Sequence, residues 1–413
     1  MAESSTSEDR RPPVSRRRRW AFRLLALLLV VALLELGSFI AVRMLAREPN
    51  PIHSETHLLD AHRNHRLNPH FRQNGQPLHS ADGLRRDLPL PLAKPPKTFR
   101  IVVLGTSAVY GIGANAPYPE HPPLNNDQTI PHRLQVILQQ YVRHLGDDGG
   151  WQVEVINGGV SAYKTFHHLI HLNSRLLDYS PDVVINVDGH NDFYFSRLTD
   201  RWNEYAYSTS VLVDEFNGRS IFLPFFTFNR SMSRYSNVCN LLERINRRQW
   251  QQRVAERLAN TPIRDLPGKD ELDQLPLEER VEIIAKQQYL RDLWQIHQLG
   301  KREGYDHMVF LQPEVIFEDP ELLTKSDLHL QQLTEQYYQK GQIERMKKIR
   351  KLFPKLFKDA KIPFHDVAQF TDINPIREAM YIDYCHLSPE GANALANEIA
   401  RRVFQVLDKR MRK

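Results

Sequence analysis

FRIVVLG, residues 99–105, decides the fold: five of its seven residues are large apolar side chains, β-branched at the centre, and a glycine ends the run. So continuous an apolar stretch is what a strand covered by helices on both faces requires, and strands of that kind belong to parallel sheets. Outward from it, 131–145 carries Leu134, Ile137, Leu138, Tyr141 and Val142 at helical spacing, and WQVEVIN (151–157) reads as a second strand. KTFHHLIHLNSRLLDYS (164–180) places Leu169, Leu172, Leu176 and Leu177 on one helix face, and PDVVINVDG (181–189) is a third strand. This alternation predicts an α/β fold, a doubly wound three-layer sandwich on a mostly parallel sheet. The rhythm resumes at HMVFLQP (307–313), passes through KIPFHDVAQF (361–370) and closes with the helix PEGANALANEIARRVFQVL (389–407). The polar stretches that interrupt it read as helical insertions at about 196–300 and 319–358.

Upstream of Thr98 the chain changes character. Residues 46–97 are polar, with His53, His57, His62, His65, His70 and His79 scattered and a proline-rich end, PLPLAKPPK, which reads as a juxtamembrane stalk and stiff linker. Before that, LLALLLVVALLELGSFIAV (24–42) contains one ionisable side chain, Glu35, and is long enough as a helix to cross a hydrocarbon core. It exceeds the apolar region of a signal peptide, and no Ala-x-Ala site follows. Glu35 is either a mark of a helix partner or proton path, or a carboxyl simply tolerated in its protonated form. The expected organisation is a basic cytoplasmic tail (1–20), a transmembrane anchor (21–45), the stalk (46–97) and one catalytic domain (98–408).

The 413 residues carry 25% charged and 41% hydrophobic side chains, a globular composition that excludes disordered and collagenous classes. The net charge of +6 invites a nucleic-acid reading until it is located. Seven arginines against Glu3, Glu8 and Asp9 put +4 in residues 1–23, leaving +2 for the other 390. A basic block directly before an apolar span orients that span with its N-terminus in the cytoplasm, so the bulk of the chain is expected in the periplasm or outside the cell. The expected partner is the lipid bilayer, met through one helix, and not nucleic acid. Two cysteines, Cys239 and Cys385, encode neither a zinc site nor a disulfide framework, although one bridge is possible. His167 and His171 stand four apart without a carboxylate or cysteine beside them, which reads as structure and not as a metal site.

Ligand sites in doubly wound sheets lie at the carboxyl ends of the strands. The first strand ends Gly105–Thr106–Ser107, the second leads into Asn157–Gly158–Gly159–Val160–Ser161–Ala162, and the third into Gly189–His190–Asn191–Asp192. Asp383–Tyr384–Cys385–His386 precedes the final helix. Ser107 is placed either as a nucleophile or as an ordinary helix cap. Asp383 and His386 have the spacing of a carboxylate that holds an imidazole in one tautomer, or of plain surface polarity.

In order and context these segments resemble the four blocks of the SGNH/GDSL-type hydrolases, over about 98–195 and 301–408. Ser107 matches the nucleophile of that superfamily, Asn191 in GHND its asparagine, and Asp383 with His386 in DYCHLSPEG its dyad; SADGLRRD (80–87) is similar to a segment upstream in membrane-anchored members. Thr106 stands where the superfamily often has aspartate, and the glycine of its second oxyanion donor aligns with Ala162, or with Gly159 if the loop shifts by three. The resemblance implies a membrane-anchored serine esterase. Its catalytic residues would be Ser107, Asp383 and His386, its oxyanion hole Ser107, Ala162 or Gly159, and Asn191. It requires no cofactor and no metal, and its substrates would be carboxylic esters, including an acylated glycan or lipid. The same triad suits an acyl or O-acetyl transferase acting on an envelope glycan, and a non-catalytic glycan-binding or scaffold member of the fold is the reading from a different class. The Phe-rich stretch 221–228 reads equally as a pocket lining or a core strand, and Asn229–Arg230–Ser231 is a glycosylation sequon that matters only in a eukaryote.

Overall fold

A computed structural model of the chain describes residues 15–45, 56–195 with breaks at 61–62, 70, 74, 115–117, 119–120 and 146–149, scattered positions between 232 and 282, and 285–412 except 338–341 and 371–377. The Phe-rich stretch 221–228, the sequon at 229–231 and most of the basic tail lie outside the described residues. The chain divides into two units: Met1–Pro51 with Ala206–Arg264, and Ile52–Tyr205 with Asp265–Lys413.

The second unit is built on a five-stranded sheet. Strands β1 (Thr98–Gly105), β2 (Gln152–Gly159), β3 (Val183–Asp188), β4 (Asp306–Leu311) and β5 (Phe364–Asp366) lie in the order β2-β1-β3-β4-β5, all parallel. Every residue of β1 is buried, as its apolar run requires. Its one charged member, Arg100, is fully buried and reaches Glu154 of β2 at 2.7 Å, while its backbone N–H donates to Asp182. The chain steps one way from β1 to β2 and the other way from β2 to β3. Right-handed crossovers therefore place the first connecting helix and the second on opposite faces of the sheet. The first is α3 (Ile130–His144), which packs on β2 and against the closing helix α9 (Pro389–Met411). The second is α4 (Thr165–Ser174), which packs against α6 (Arg291–Glu303), itself lying on β4. Between them in chain order, α2 (Ser107–Tyr110) follows β1 and α5 (His190–Phe195) follows β3; α7 (Lys325–Tyr337) and α8 (Gln342–Ala360) fill the polar stretch before β5. The doubly wound α/β sandwich expected from the sequence is thus present, with β1 at the point where the strand order reverses.

Residues 56–97 differ from the expected stalk. They form two short antiparallel hairpins, His57–Asp60 with Asn64–Leu67 and Arg72–Gln73 with Gln76–Pro77, and belong to the same unit as the sheet. Of the scattered histidines, His53, His62 and His70 lie outside the described residues, while His57, His65 and His79 are specific hydrogen-bonding groups and not solvated polarity. His79 is 1% exposed and bonds the Asn68 carbonyl at 2.7 Å and Tyr110 Oη at 2.9 Å; His65 Nε2 lies 2.8 Å from the Ser161 carbonyl.

In the first unit the principal element is α1 (Arg16–Leu45), a helix about 45 Å long at 1.5 Å per residue. Its Arg16–Met44 stretch is long and apolar enough to cross a membrane.

Candidate active site

The carboxyl ends of β1, β2 and β3 bring together what the sequence separates by up to 279 positions. Ser107 opens α2 directly after β1, with Thr106 as the extended residue before it. The short helix lies hard against the strand ends, and two glycines make that possible. A Cβ on Gly105 would stand 2.2 Å from Val109 Cγ2, and one on Gly159 would stand 2.5 Å from the Tyr110 backbone nitrogen. Neither position tolerates any other residue without moving α2.

His386 Nε2 lies 2.7 Å from Ser107 Oγ, and its Nδ1 lies 2.6 Å from Asp383 Oδ2. Because the carboxylate only accepts, Nδ1 carries the hydrogen and Nε2 presents its lone pair to the serine hydroxyl. Asp383 is fully buried, and its Oδ1 accepts from the backbone N–H groups of Cys385 (2.9 Å) and His386 (2.8 Å), so the carboxylate is fixed by the turn it belongs to. Ser107 is 8% exposed and His386 2%, so both are buried. Cys385 is a free thiol with Sγ 3.9 Å from His386 Nε2; burial and then the Asp383 charge push its pKa well above the ordinary value, so it stays neutral. Cys239 is also free.

Besides Ser107, the three residues proposed from sequence as oxyanion donors have different surroundings. Ala162 has φ +63°, the left-handed region that glycine occupies freely and that costs another residue about 1–2 kcal/mol. Asn191 is buried and donates one Nδ2 hydrogen to the Tyr163 carbonyl at 2.9 Å, which places its amide beside the same loop and leaves the second hydrogen to donate. The Gly159 N–H is already committed to Asn157 Oδ1 at 2.9 Å, and Gly159 pairs with Gly105 within the sheet. It does not face an open position.

Several residues that no motif singled out hold this arrangement. Gln312, just beyond β4, accepts from the Thr106 hydroxyl at 3.0 Å and donates to the Cys385 carbonyl at 3.0 Å, tying the serine turn to the Asp383–His386 turn. Arg85, within the SADGLRRD segment, is buried and donates to the carbonyls of Tyr110 and Leu124, with its guanidinium 4.8 Å from the Tyr110 ring. Burial lowers its pKa to about 10, which leaves it charged at neutral pH. His168 of α4 bridges Asp188 and the Gly105 carbonyl, each at 3.1 Å. Burial opposes the charged ring, but the charge and hydrogen bond of Asp188, the Asp192 charge and the Gly105 carbonyl together outweigh it and raise the His168 pKa. Asp192 is pushed up to about 7 by burial and by the charge of Asp188. His167 and His171 pack on the Tyr163 ring, stacked and edge-on, and burial drives both well below the ordinary histidine range. Among the described residues, the group of side chains close enough together to hold a metal ion is Asp383, Cys385 and His386. The Ser107 hydroxyl at His386 and the neutral Cys385 thiol suit a proton relay better than a cation.

No family model and no curated protein matches the chain. Solved structures align over most of their own length at low similarity. One is a catalytic mutant of Axe2, an acetylxylan esterase from Geobacillus stearothermophilus, at 13% identity and TM-score 0.37, covering 74% of this chain and 94% of that one. Est24, a carbohydrate acetylesterase from Sinorhizobium meliloti, aligns at 15% identity and TM-score 0.36 over 75% and 99%. A lipolytic protein of the G-D-S-L family from Desulfitobacterium hafniense aligns at 11% and 0.34 over 73% and 98%.

Proposed function

We propose that the chain is a serine esterase of the SGNH/GDSL type, held to a membrane by α1 with its N-terminus cytoplasmic and its α/β unit in the periplasm or outside the cell. The observation that carries the chemistry is the continuous hydrogen-bonded line Ser107–His386–Asp383 at a strand-end crevice. In this reading Ser107 Oγ attacks an ester carbonyl as its proton passes to His386 Nε2, and the Asp383 carboxylate stabilises the imidazolium. The tetrahedral oxyanion is held by the first N–H of α2, which a helix start leaves without an internal acceptor, by the Ala162 N–H and by the second Asn191 amide hydrogen. His386 then returns the proton to the leaving alcohol, and water attacks the acyl-serine through the same histidine. The basic block before α1 supports the orientation.

A purified full chain is expected to hydrolyse p-nitrophenyl acetate and to be labelled by a fluorophosphonate probe, and Ser107→Ala is expected to lose both while keeping its circular dichroism. Turnover retained by Ser107→Ala would overturn the assignment. A folded wild-type chain that takes no label would favour a binding protein. A second reading, acyl transfer to an alcohol, uses the same three residues, because a site that admits an alcohol better than water becomes a transferase. Product analysis with a glycan acceptor separates the two.

A further inference from the structure

Glu35 is the ionisable group inside the apolar span of α1, and the structure gives it partners 201 and 202 residues away. Its carboxylate accepts from the Ser236 hydroxyl through Oε1 and from the Asn237 backbone N–H at 2.7 Å through Oε2. Ser236 and Asn237 begin a helical stretch at 237–242, and the Ser236 oxygen also accepts from the Cys239 N–H at 3.2 Å. The contact has a depth. Glu35 lies eight residues before Arg43, whose guanidinium folds back to 4.9 Å from the Phe39 ring at the polar end of the span. At 1.5 Å per residue, Glu35 sits about 12 Å inside that end.

Two further observations agree. Among the described side chains of α1, Glu35, Ser38, Ala41 and Val42 are the ones that are covered, and the rest are exposed. Their spacing of three, six and seven residues is one face of a helix, which has a packing partner while the remainder is free to face lipid. The partner's sequence fits the same surroundings. YSNVCNLL (235–242) carries no acidic or basic side chain, whereas Arg230 and Arg234 precede it and Glu243, Arg244, Arg247 and Arg248 follow. Tyr235, at its edge, is 82% exposed. A short uncharged segment between arginines, with an exposed tyrosine at its margin, has the character of a piece of chain seated at a bilayer interface.

We infer that residues 235–242 are a second membrane contact, dipping into the acyl-chain region beside α1 and held there by Glu35. This rests on the reading of α1 as a retained membrane helix. A carboxyl in that region needs hydrogen-bond donors, and a serine hydroxyl and a free backbone N–H need an acceptor; each group satisfies the other where water does not. Residues 235–242 then meet the bilayer as a second contact beside the N-terminal anchor and joined to it through Glu35.

Cys239 supplies the probe site. In the full chain reconstituted in phosphatidylcholine vesicles, an environment-sensitive maleimide on Cys239, with Cys239→Ser as the unlabelled control, is expected to be quenched several-fold more by nitroxide on the lipid acyl chains than by aqueous iodide. Glu35→Leu should cut the acyl-chain quenching by at least half, and Glu35→Gln, which keeps an acceptor, should retain most of it. Preferential iodide quenching, or no change in Glu35→Leu, overturns the inference. Intact mass separates the two levels: a chain lacking residues 1–45 removes the anchor and this contact together, whereas a full-length chain with a water-exposed Cys239 removes this contact alone.

Discussion

Acid is expected to loosen the protein through His79. The His79 ring is 1% exposed and neutral: its Nδ1–H donates to the Asn68 carbonyl, so Nε2 accepts from the Tyr110 hydroxyl. Burial lowers its pKa to about 4, with the nearby Arg85 charge acting in the same direction against the Asn68 carbonyl. A histidine whose folded pKa is depressed contributes stability that is present above its unfolded pKa and is lost as the pH falls towards the folded one. The window therefore runs from about pH 6.5 down to 4. Each pH step of one between those limits removes roughly 1.4 kcal/mol, so the whole window is worth about 3 kcal/mol, of which about 2 kcal/mol is gone at pH 5. The perturbation is His79→Gln, which keeps a donor and an acceptor but does not titrate. Urea unfolding of the full chain in detergent, followed by tryptophan fluorescence at about pH 7.5 and 5.0, is the assay. Wild type is expected to lose about 2 kcal/mol more than His79→Gln between the two conditions, even though the variant starts lower. Equal losses would refute the reasoning, because the group at fault would then lie elsewhere; His307, lowered to about 3 by burial and then by His297, is the next candidate.

Three further predictions concern the site. Ala162→Gly removes a Cβ from a left-handed backbone, relieving about 1–2 kcal/mol against roughly 0.4–1 kcal/mol of added chain entropy. Thermal unfolding should move up slightly with ester turnover retained, because glycine keeps the backbone N–H; lost turnover would show that the Ala162 methyl group is itself needed. Gln312→Leu strands the Thr106 hydroxyl and the Cys385 carbonyl, at about 1–3 kcal/mol of stability, and should lower kcat more than it changes KM. Asp383→Asn should lower kcat by about 10⁴ while the fold persists, because the amide favours the wrong imidazole tautomer; a loss under about tenfold would remove Asp383 from the proposed mechanism.

The strands were legible because burial on both faces writes itself as an uninterrupted apolar run. FRIVVLG, expected at 99–105, is β1 at Thr98–Gly105, and the helix expected at 131–145 is α3 at Ile130–His144. The serine, aspartate and histidine were legible as types at strand ends, and the structure links them in series through His386, at 2.7 Å to the serine and 2.6 Å to the aspartate. Residues 56–97 were not legible, because their strands are two to four residues long and polar side chains, among them His57, Arg63, His79 and Arg85, are buried there beside Leu67, Leu78, Leu84 and Leu90. Such polar residues read as solvated until their partners are known. Arg85 needs the carbonyls of Tyr110 and Leu124, and His65 needs that of Ser161. Gln312 carries no periodic or motif signal at all; its role exists only once the ends of β1 and β4 and the turn before α9 are neighbours. KIPFHDVAQF, read as a strand and turn, forms the strand Phe364–Asp366, an edge strand that stops where β4 stops.

His168 shows why a buried charge persists under a site to which it contributes no proton. Its ring is fully buried between the end of β3, through Asp188, and the end of β1, through the Gly105 carbonyl. Those two strand ends carry Asn191 and Ser107. The Gly105 carbonyl also accepts from the Val160 N–H at 3.1 Å, two residues before Ala162, so all three proposed oxyanion positions hang from one small set of bonds. An apolar side chain at 168 would fill the space but leave the Asp188 carboxylate buried without its cation, a loss of about 3–5 kcal/mol for breaking such a pair. The imidazolium is retained because it joins an anion and a carbonyl on two different strands. A neutral ring gives the carboxylate no compensating charge, and a lysine lacks the two opposed, fixed N–H directions. The charge is structural, yet in the proposed mechanism its consequence is chemical: it ties the strand end that leads to Ser107 to the one that leads to Asn191, the two that a preorganised oxyanion site would need held apart at a fixed distance.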